Sequence, residues 1–375
     1  MEKKRVESLY SAVDIGFNSL ISFLTFLYIK EYYGIDLLGL FGLILSVTSF
    51  VETIQMGLYE KPAYLGFSVG YKKYRLKIWH LLIIIFFPLL VINQLIISGY
   101  LVSAILFCLS YVLTQNIRIH DYINHNIKKV SLRSFLTFFM TVSMYTYLLT
   151  SKTMISLNVL LLMISAFRFI FVIFERKKIF SIENNSNENT ELGFLVTSVL
   201  TLVRSRLPLW SLLPFGLGLV GIYEAFRTLL EIYLVPSRPI FLVMIKNLKR
   251  DGTKKIFQFG FIFAFLTIGI IGLTFFIITN SNFFNIDEIS TNSAFISIVL
   301  ISLFFWISEI TGMIFQFNSF ISFEAIRRAS SIILFVLVSL AFYNYLNFNI
   351  FLFLVAFMYF AEVVISFINK EKLKL

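Results

Sequence analysis

Charged side chains set inside long apolar runs are the residues of this chain with the clearest chemical potential. Arg204, Arg206 and Arg227 stand in such runs, and so do Asp14, Glu52, Glu309 and Glu362. A guanidinium keeps its charge, and its planar fork pairs bidentately with phosphate oxygens. A carboxylate shielded from water is suited to exchanging a proton. The three arginines are therefore candidates for holding an anion. The four carboxylates are candidates for coupling to a proton or sodium ion. The sequence holds no nucleophile-and-base constellation, no His/Cys metal spacing and no cofactor motif, so the expectation is binding and transport without covalent chemistry, metal or cofactor. The three histidines, His80, His120 and His125, lie near expected helix ends, and the single Cys108 sits in an apolar run where packing is its role.

Helical spacing places these charges on polar stripes, because residues at i, i+3/i+4 and i+7 share a face. The stripes are Ser11, Asp14, Asn18 and Thr25; Thr48, Glu52, Gln55 and Tyr59; Thr197, Thr201, Arg204, Pro208 and Ser211; Glu224, Arg227 and Glu231; Ser302, Glu309, Gly312 and Gln316; and Tyr359, Glu362, Ser366 and Asn369. A charge at the bilayer centre costs roughly 2.5–3.5 kcal/mol on insertion scales, so such residues face a protein interior or a watery cavity. Bland readings stand beside the functional ones. Asp14, Glu362 and Arg168 lie within about two turns of an expected cytoplasmic end and can snorkel. Glu224, Arg227 and Glu231 can form a self-neutralising stripe that only packs helices. Arg204 lies roughly 15 Å deep by helical rise, too deep to snorkel easily, and Arg206 points away from it.

The elements that must carry these residues follow from composition. The 375 residues are 58% hydrophobic and only 14% charged. A soluble domain needs about a quarter charged residues, and disorder needs low hydrophobicity. Outer-membrane strands alternate apolar and polar residues, whereas here the runs are unbroken. Twelve runs fall at about 9–30, 37–58, 79–97, 99–117, 134–150, 154–175, 193–216, 218–240, 256–279, 293–317, 329–346 and 348–368. Roughly twenty helical residues cross a hydrocarbon core of about 30 Å. Met1 to Arg5 is basic, but the run behind it holds Asp14 and Asn18 and no small-residue cleavage site, so it reads as a retained first span.

Lysine and arginine test this topology. With the N-terminus inside, the outer loops carry only Lys30 and Lys152, the spans carry Arg168, Arg204, Arg206 and Arg227, and the other 26 of the 32 fall in inside segments, Arg118, Arg133, Arg327 and Arg328 among them. Both termini are thus expected in the cytoplasm. The net charge of +11 is a topology signal rather than a nucleic-acid footprint. The hydrophilic stretch 176–192 divides the chain into an N-terminal lobe (1–175) and a C-terminal lobe (193–375) of six helices each. A short internal match supports duplication: Leu38-Gly39-Leu40-Phe41 and Val220-Gly221-Ile222-Tyr223 both place Gly, an aliphatic and an aromatic at the start of an even-numbered helix. Stripes from both lobes suit one shared central cavity.

The outer loops are short, the longest being Asn280 to Asn292 with its single acidic pair Asp287-Glu288. A membrane polymerase or acyltransferase would need a catalytic cluster there or at one face, and none is evident. No Gly-rich phosphate loop exists to hydrolyse ATP.

With those spans in place, a resemblance to a known family emerges. Tyr33 to Phe41, Gln55-Met56-Gly57-Leu58, Gly221 to Arg227 and Leu234 to Phe241 resemble segments of the O-antigen type polysaccharide flippases in the multidrug/oligosaccharidyl-lipid/polysaccharide exporter superfamily. The resemblance implies two six-helix lobes around a central cavity that work by alternating access in the cytoplasmic membrane. It implies a polyprenyl-diphosphate-linked oligosaccharide as cargo, on the way to surface polysaccharide, with membrane lipid and other assembly proteins as partners. It places Arg204, Arg206 and Arg227 in helices whose basic residues receive the anionic headgroup. Glu224 and Glu231 flank Arg227 and depart from a purely cationic cavity. Export of a small drug-like molecule is the alternative within the superfamily, and a membrane enzyme of polysaccharide assembly is the alternative outside it.

Overall fold

The computed structural model describes residues 2–55, 85–86, 88–97, 99–123, 126–151, 154–175, 188–234, 265, 269, 291–317, 320–343 and 347–369. Some side chains within these ranges, Glu52 and Glu231 included, lie outside the description. So do most of the expected ninth span (256–279), the 176–187 part of the hydrophilic stretch, Met56 to Leu58, Val235 to Phe241, His80, His125 and Asp287-Glu288. The described residues are almost wholly helical, with no strand among them. Four helical stretches are long and apolar enough to cross a membrane: Gly16–Val51, Leu101–Arg118, Leu157–Phe174 and Phe348–Ile368. This is the make-up of a helical membrane protein, whose backbone polar groups must be satisfied within each segment.

The chain forms two compact units, Met1–Thr228 and Leu229–Leu375. The first contains α1 (Glu2–Gln55), the short α2 (Asn93–Ile97), α3 (Leu101–Ile123), α4 (Ile127–Ser151), α5 (Leu157–Phe174), α6 (Glu188–Ser211) and most of α7 (Leu217–Leu234). The α1 helix is two helices joined at Gly34, whose φ of 85° is left-handed backbone that glycine adopts without strain. The main packing is α1 on α4 and α3 on α5, with α6 also against α1. The run at 134–150 is short for a span because α4 begins earlier, at Ile127, with Lys128 and Lys129 exposed in its first turn.

Hydroxyl side chains inside the helices mostly return their hydrogen to their own backbone. Thr137 donates to the Arg133 carbonyl at 3.0 Å, Thr141 to Thr137 at 2.8 Å and Thr201 to Thr197 at 2.6 Å. Such back-bonding satisfies a polar group where water is absent. Ser156 caps α5 by accepting from the Val159 N–H, and Asn347 caps the last helix in the same way from Ile350.

The internal match read from the sequence is a contact in the fold. Gly39 and Gly221 face each other where the second half of α1 crosses α7. A Cβ on Gly39 would stand 2.9 Å from the Gly221 nitrogen and collide with the Leu217 carbonyl oxygen. A Cβ on Gly221 would stand 3.1 Å from the Gly39 nitrogen and collide with the Ile35 carbonyl oxygen. The contact is reciprocal, since each glycine meets the carbonyl four residues before the other. The match also extends further than four residues. Tyr33-Gly34-Ile35-Asp36-Leu37-Leu38-Gly39-Leu40-Phe41 pairs with Phe215-Gly216-Leu217-Gly218-Leu219-Val220-Gly221-Ile222-Tyr223. Gly34 and Gly216 both have positive φ, 85° and 113°, and each precedes the helix that carries the crossing glycine. Small residues let membrane helices approach to backbone contact, where dispersion drives association.

The second unit contains α8 (Thr291–Phe317), α9 (Ile321–Ala341) and α10 (Phe348–Ile368), with α8 packed most extensively on α10 and α9 also against α10. Here the helix departs from the expected span. The charge count puts Arg327 and Arg328 in a loop because the apolar run starts at 329. The helix starts about two turns earlier, and both arginines are buried within it, at 0% and 2% exposure. A hydropathy window sees two charges and ends the span; the fold neutralises them against carboxylates on the same and neighbouring helices.

Candidate functional site

The first unit gathers Arg206, Arg227 and Glu224. Glu224 and Arg227 are one turn apart on α7, so their side chains stack. Arg227 Nε donates to Glu224 Oε2 at 2.7 Å, and Nη2 donates to Oε1, a two-pronged pair. Arg206 comes from α6. Its Nη1 lies 3.8 Å from Glu224 Oε2, and its Nη2 donates to Ser49 of α1 at 2.5 Å. One turn on, Trp210 Nε1 donates to Ser46 at 3.0 Å. Two hydroxyls one turn apart on α1 thus receive the Arg206 and Trp210 face of α6. Glu224 sits against Gly42 of α1, where a Cβ would stand 2.6 Å from its Cγ. Glu224 is 1% exposed, and Arg206 and Arg227 are each 8% exposed. Arg204, on the same helix as Arg206, is fully buried. The side chains of Glu52 and Glu231 lie outside the described residues.

Asp14 is fully buried rather than snorkelling. Arg118 Nε donates to its Oδ2 at 2.8 Å, Asn18 donates to its Oδ1 at 3.1 Å, and Ser134 donates to the same Oδ1. These partners come from α1, α3 and α4, so the carboxylate ties three helices. A second tie joins the ends of α3, α4 and α5: Arg133 pairs with buried Asp121 and lies 3.4 Å from Glu175. Arg168 is buried in the same unit, its guanidinium carbon 4.5 Å from the Tyr111 ring centroid and 5.2 Å from that of Phe107. Asp14→Asn should lower stability by about 1–3 kcal/mol, the cost of a weakened buried polar network. Thermal unfolding in detergent checks this. An Asp14→Asn protein as stable as the natural one would show that this carboxylate does not hold the three helices together.

In the second unit, Glu309 and Glu362 join one buried network with residues that sequence reasoning missed. Glu324 accepts from Arg327 Nε at 2.7 Å and Nη2 at 2.9 Å, and from Arg328 Nε. Arg327 Nη1 reaches Ser308 at 2.9 Å and Glu362 at 3.4 Å. Ser331 donates to Glu362 Oε1 at 2.8 Å, and Ser308 donates to its Oε2. Glu309 lies 3.6 Å from Arg328 and is the most exposed carboxylate of the network, at 14% of its side chain. The network presses on Gly312, where a Cβ would stand 2.8 Å from Arg327 Nη2 and 3.0 Å from Arg328 Nη2. The sequence did hold a signal for it. Phe323-Glu324-Ala325-Ile326-Arg327 repeats the pattern of Tyr223-Glu224-Ala225-Phe226-Arg227, an aromatic, Glu, Ala, an apolar residue and Arg.

No protein-family model, curated protein or solved structure matches this chain. Its functional reading therefore rests on the chemistry of its own residues. Among the described residues no group of three or more His, Cys, Asp or Glu is placed to hold a metal ion. The two Glu–Arg clusters differ in balance. The α6–α7 cluster sets two guanidiniums around one described carboxylate, whereas the α8–α9–α10 network mixes two guanidiniums with three carboxylates.

Proposed function

We propose that this protein is a flippase that moves a polyprenyl-diphosphate-linked oligosaccharide from the cytoplasmic to the outer leaflet for surface polysaccharide assembly. The observation that carries the reading is the Arg206–Arg227 pair, buried among apolar helices and gathered on one carboxylate. Charge is costly in such surroundings, and two guanidinium forks on adjacent helices match the oxygens of a diphosphate. The apolar exterior leaves the lipid tail in the bilayer while the headgroup crosses. The topology that goes with this function is twelve spans in two lobes around a central cavity in the cytoplasmic membrane, both termini inside, moving by alternating access without covalent catalysis. Arg204 completes the cationic lining, and Glu52, Glu309, Asp14 and Glu362 are the candidates for coupling to a proton or sodium ion. Other polysaccharide-assembly proteins are the partners in this reading.

The test is translocation in cells. Loss of the protein should leave lipid-linked repeat units in the cytoplasmic leaflet. Arg206→Gln should slow their appearance outside by about 10- to 100-fold, the loss of one charge-assisted hydrogen-bonding group. Translocated but unpolymerised units in the deletion strain would instead mark a polymerase, and normal flux in Arg206→Gln would remove the site assignment.

A further inference from the structure

We propose that the α1–α7 crossing is a gate and that Glu224 is its latch: the two helices stay closed while the Glu224 side chain fills the seat left by Gly42, and they part when it leaves. This deepens the flippase reading and rests on it for the cargo that passes. Two contacts lie on one line. Gly39 meets Gly221, and about one turn further along both helices Gly42 meets Glu224. The nine-residue match ends at Phe41 and Tyr223, and Gly42 and Glu224 are the residues that follow. The helices therefore cross in register. Whatever separates the two glycines also draws Glu224 out of its seat.

The crossing is built to separate. At Gly39 and Gly221 the atoms in contact are backbone, chiefly the carbonyls of Leu217 and Ile35. Such a contact is held by dispersion, which falls steeply with a small gap. Each helix also has a hinge of its own. Gly34 and Gly216 precede the crossing glycines at the same spacing, with φ of 85° and 113°. A Cβ at either would meet nothing within 4 Å, so there is room for the backbone to turn. A few such residues can absorb the rotation of a whole element. Gly34, Asp36 and Pro214 to Gly216 are exposed, whereas Leu38, Leu40 and Val220 are 0%, 1% and 0% exposed. The crossing thus stands between an exposed end of both helices and the buried cluster of Arg206, Glu224 and Arg227.

The latch is held along its length. Its stem lies against Gly42, where a Cβ would stand 2.6 Å from Glu224 Cγ and 3.0 Å from both its Cβ and its carboxyl carbon. Its carboxylate accepts from Arg227 Nε at 2.7 Å and from Nη2. Glu224 and Arg227 both ride on α7, one turn apart, so this ion pair moves with the helix and survives a parting from α1. Opening therefore costs mainly the packing of the stem and the backbone contact above it. The seat ties the charge cluster to the state of the crossing, since Glu224 belongs to both.

The experiment uses the full chain in membranes, with Cys108→Ala to remove its single cysteine and with Asp36→Cys and Gly218→Cys added. A Cβ on Gly218 would stand 3.1 Å from Asp36 Oδ1, so the two thiols meet across the crossing. Copper–phenanthroline should join them, and the joined protein should deliver lipid-linked repeat units to the outer leaflet at least about tenfold more slowly than the reduced one. Dithiothreitol should restore the rate. Gly42→Ala, which sets a methyl group in the Glu224 seat, should slow the cross-link about tenfold. Glu224→Asp, too short to fill the seat, should slow it as well and decides the matter if Gly42→Ala does not fold. No cross-link in the folded cysteine pair, or full flux through the joined protein, overturns the gate. An unchanged cross-linking rate in the folded Gly42 and Glu224 variants overturns the latch. These outcomes leave the flippase reading intact. Absence of flux in the reduced protein and in the natural chain, with Gly42→Ala still slowing the cross-link, overturns the flippase reading and leaves the latch standing.

Discussion

Replacing Glu324 with Ala should destabilise the protein by about 3–5 kcal/mol, the cost of stranding buried charge after one partner of a pair is removed. Two guanidiniums depend on this carboxylate, and both are buried: Arg327 through Nε and Nη2 at 2.7 and 2.9 Å, and Arg328 through Nε. Neither can reach water by a small movement, because α8 closes over them at Gly312. The change should appear as a large drop in the unfolding temperature in detergent and in the amount of protein in the membrane. Glu324→Ala/Arg328→Leu should recover part of the loss, since removing charges together is far less costly than removing one. A Glu324→Ala protein as stable as the natural one would show that the network does not hold α8, α9 and α10 together.

The second large effect is expected at the glycine crossing. Gly39→Leu or Gly221→Leu forces a side chain into carbonyl oxygens of the opposite helix, those of Leu217 and Ile35 respectively. Overpacking of this kind costs about 1–3 kcal/mol where neighbours can shift. Here the obstacle is backbone, so the upper end of that range is expected for each variant. Because the two glycines share one contact, the double variant should cost less than the sum of the singles. Unfolding measurements on the three variants test this; strictly additive losses would mean that the two helices do not meet at these residues.

Part of the fold is legible because membrane burial writes itself into sequence as long apolar runs. The runs at 99–117, 154–175 and 348–368 are α3, α5 and α10 with small changes of boundary. The polar stripes are also legible, since helical periodicity fixes which residues share a face. Asp14, Ser302, Glu362 and Ser366 are all fully buried, as a stripe turned inward requires. The local pair Glu224–Arg227 can be read from its spacing alone.

What cannot be read is the meeting of distant residues. Arg118 reads as a cytoplasmic charge, yet it pairs with Asp14 of another helix at 2.6 Å. Nothing near either residue in the chain announces the other. Arg206 poses the same difficulty: its hydroxyl partner Ser49 is on α1, and no local pattern links the two. Arg327 and Arg328 are misplaced for a different reason. A charge count treats each arginine as a cost, whereas Glu324 three and four residues before them removes most of that cost.

By itself, then, the sequence determined the helical membrane character of the chain and the inward faces of its polar helices. It could do so because hydrophobic length and helical period are local properties. Tertiary structure decided which charges are paired and which glycines touch. It brought Gly39 to Gly221, set Arg206 and Arg227 on one carboxylate, and sealed Arg327 and Arg328 behind Glu324 and Glu362. Pairing energies depend on distance and burial in three dimensions, and neither is a property of any single stretch of chain.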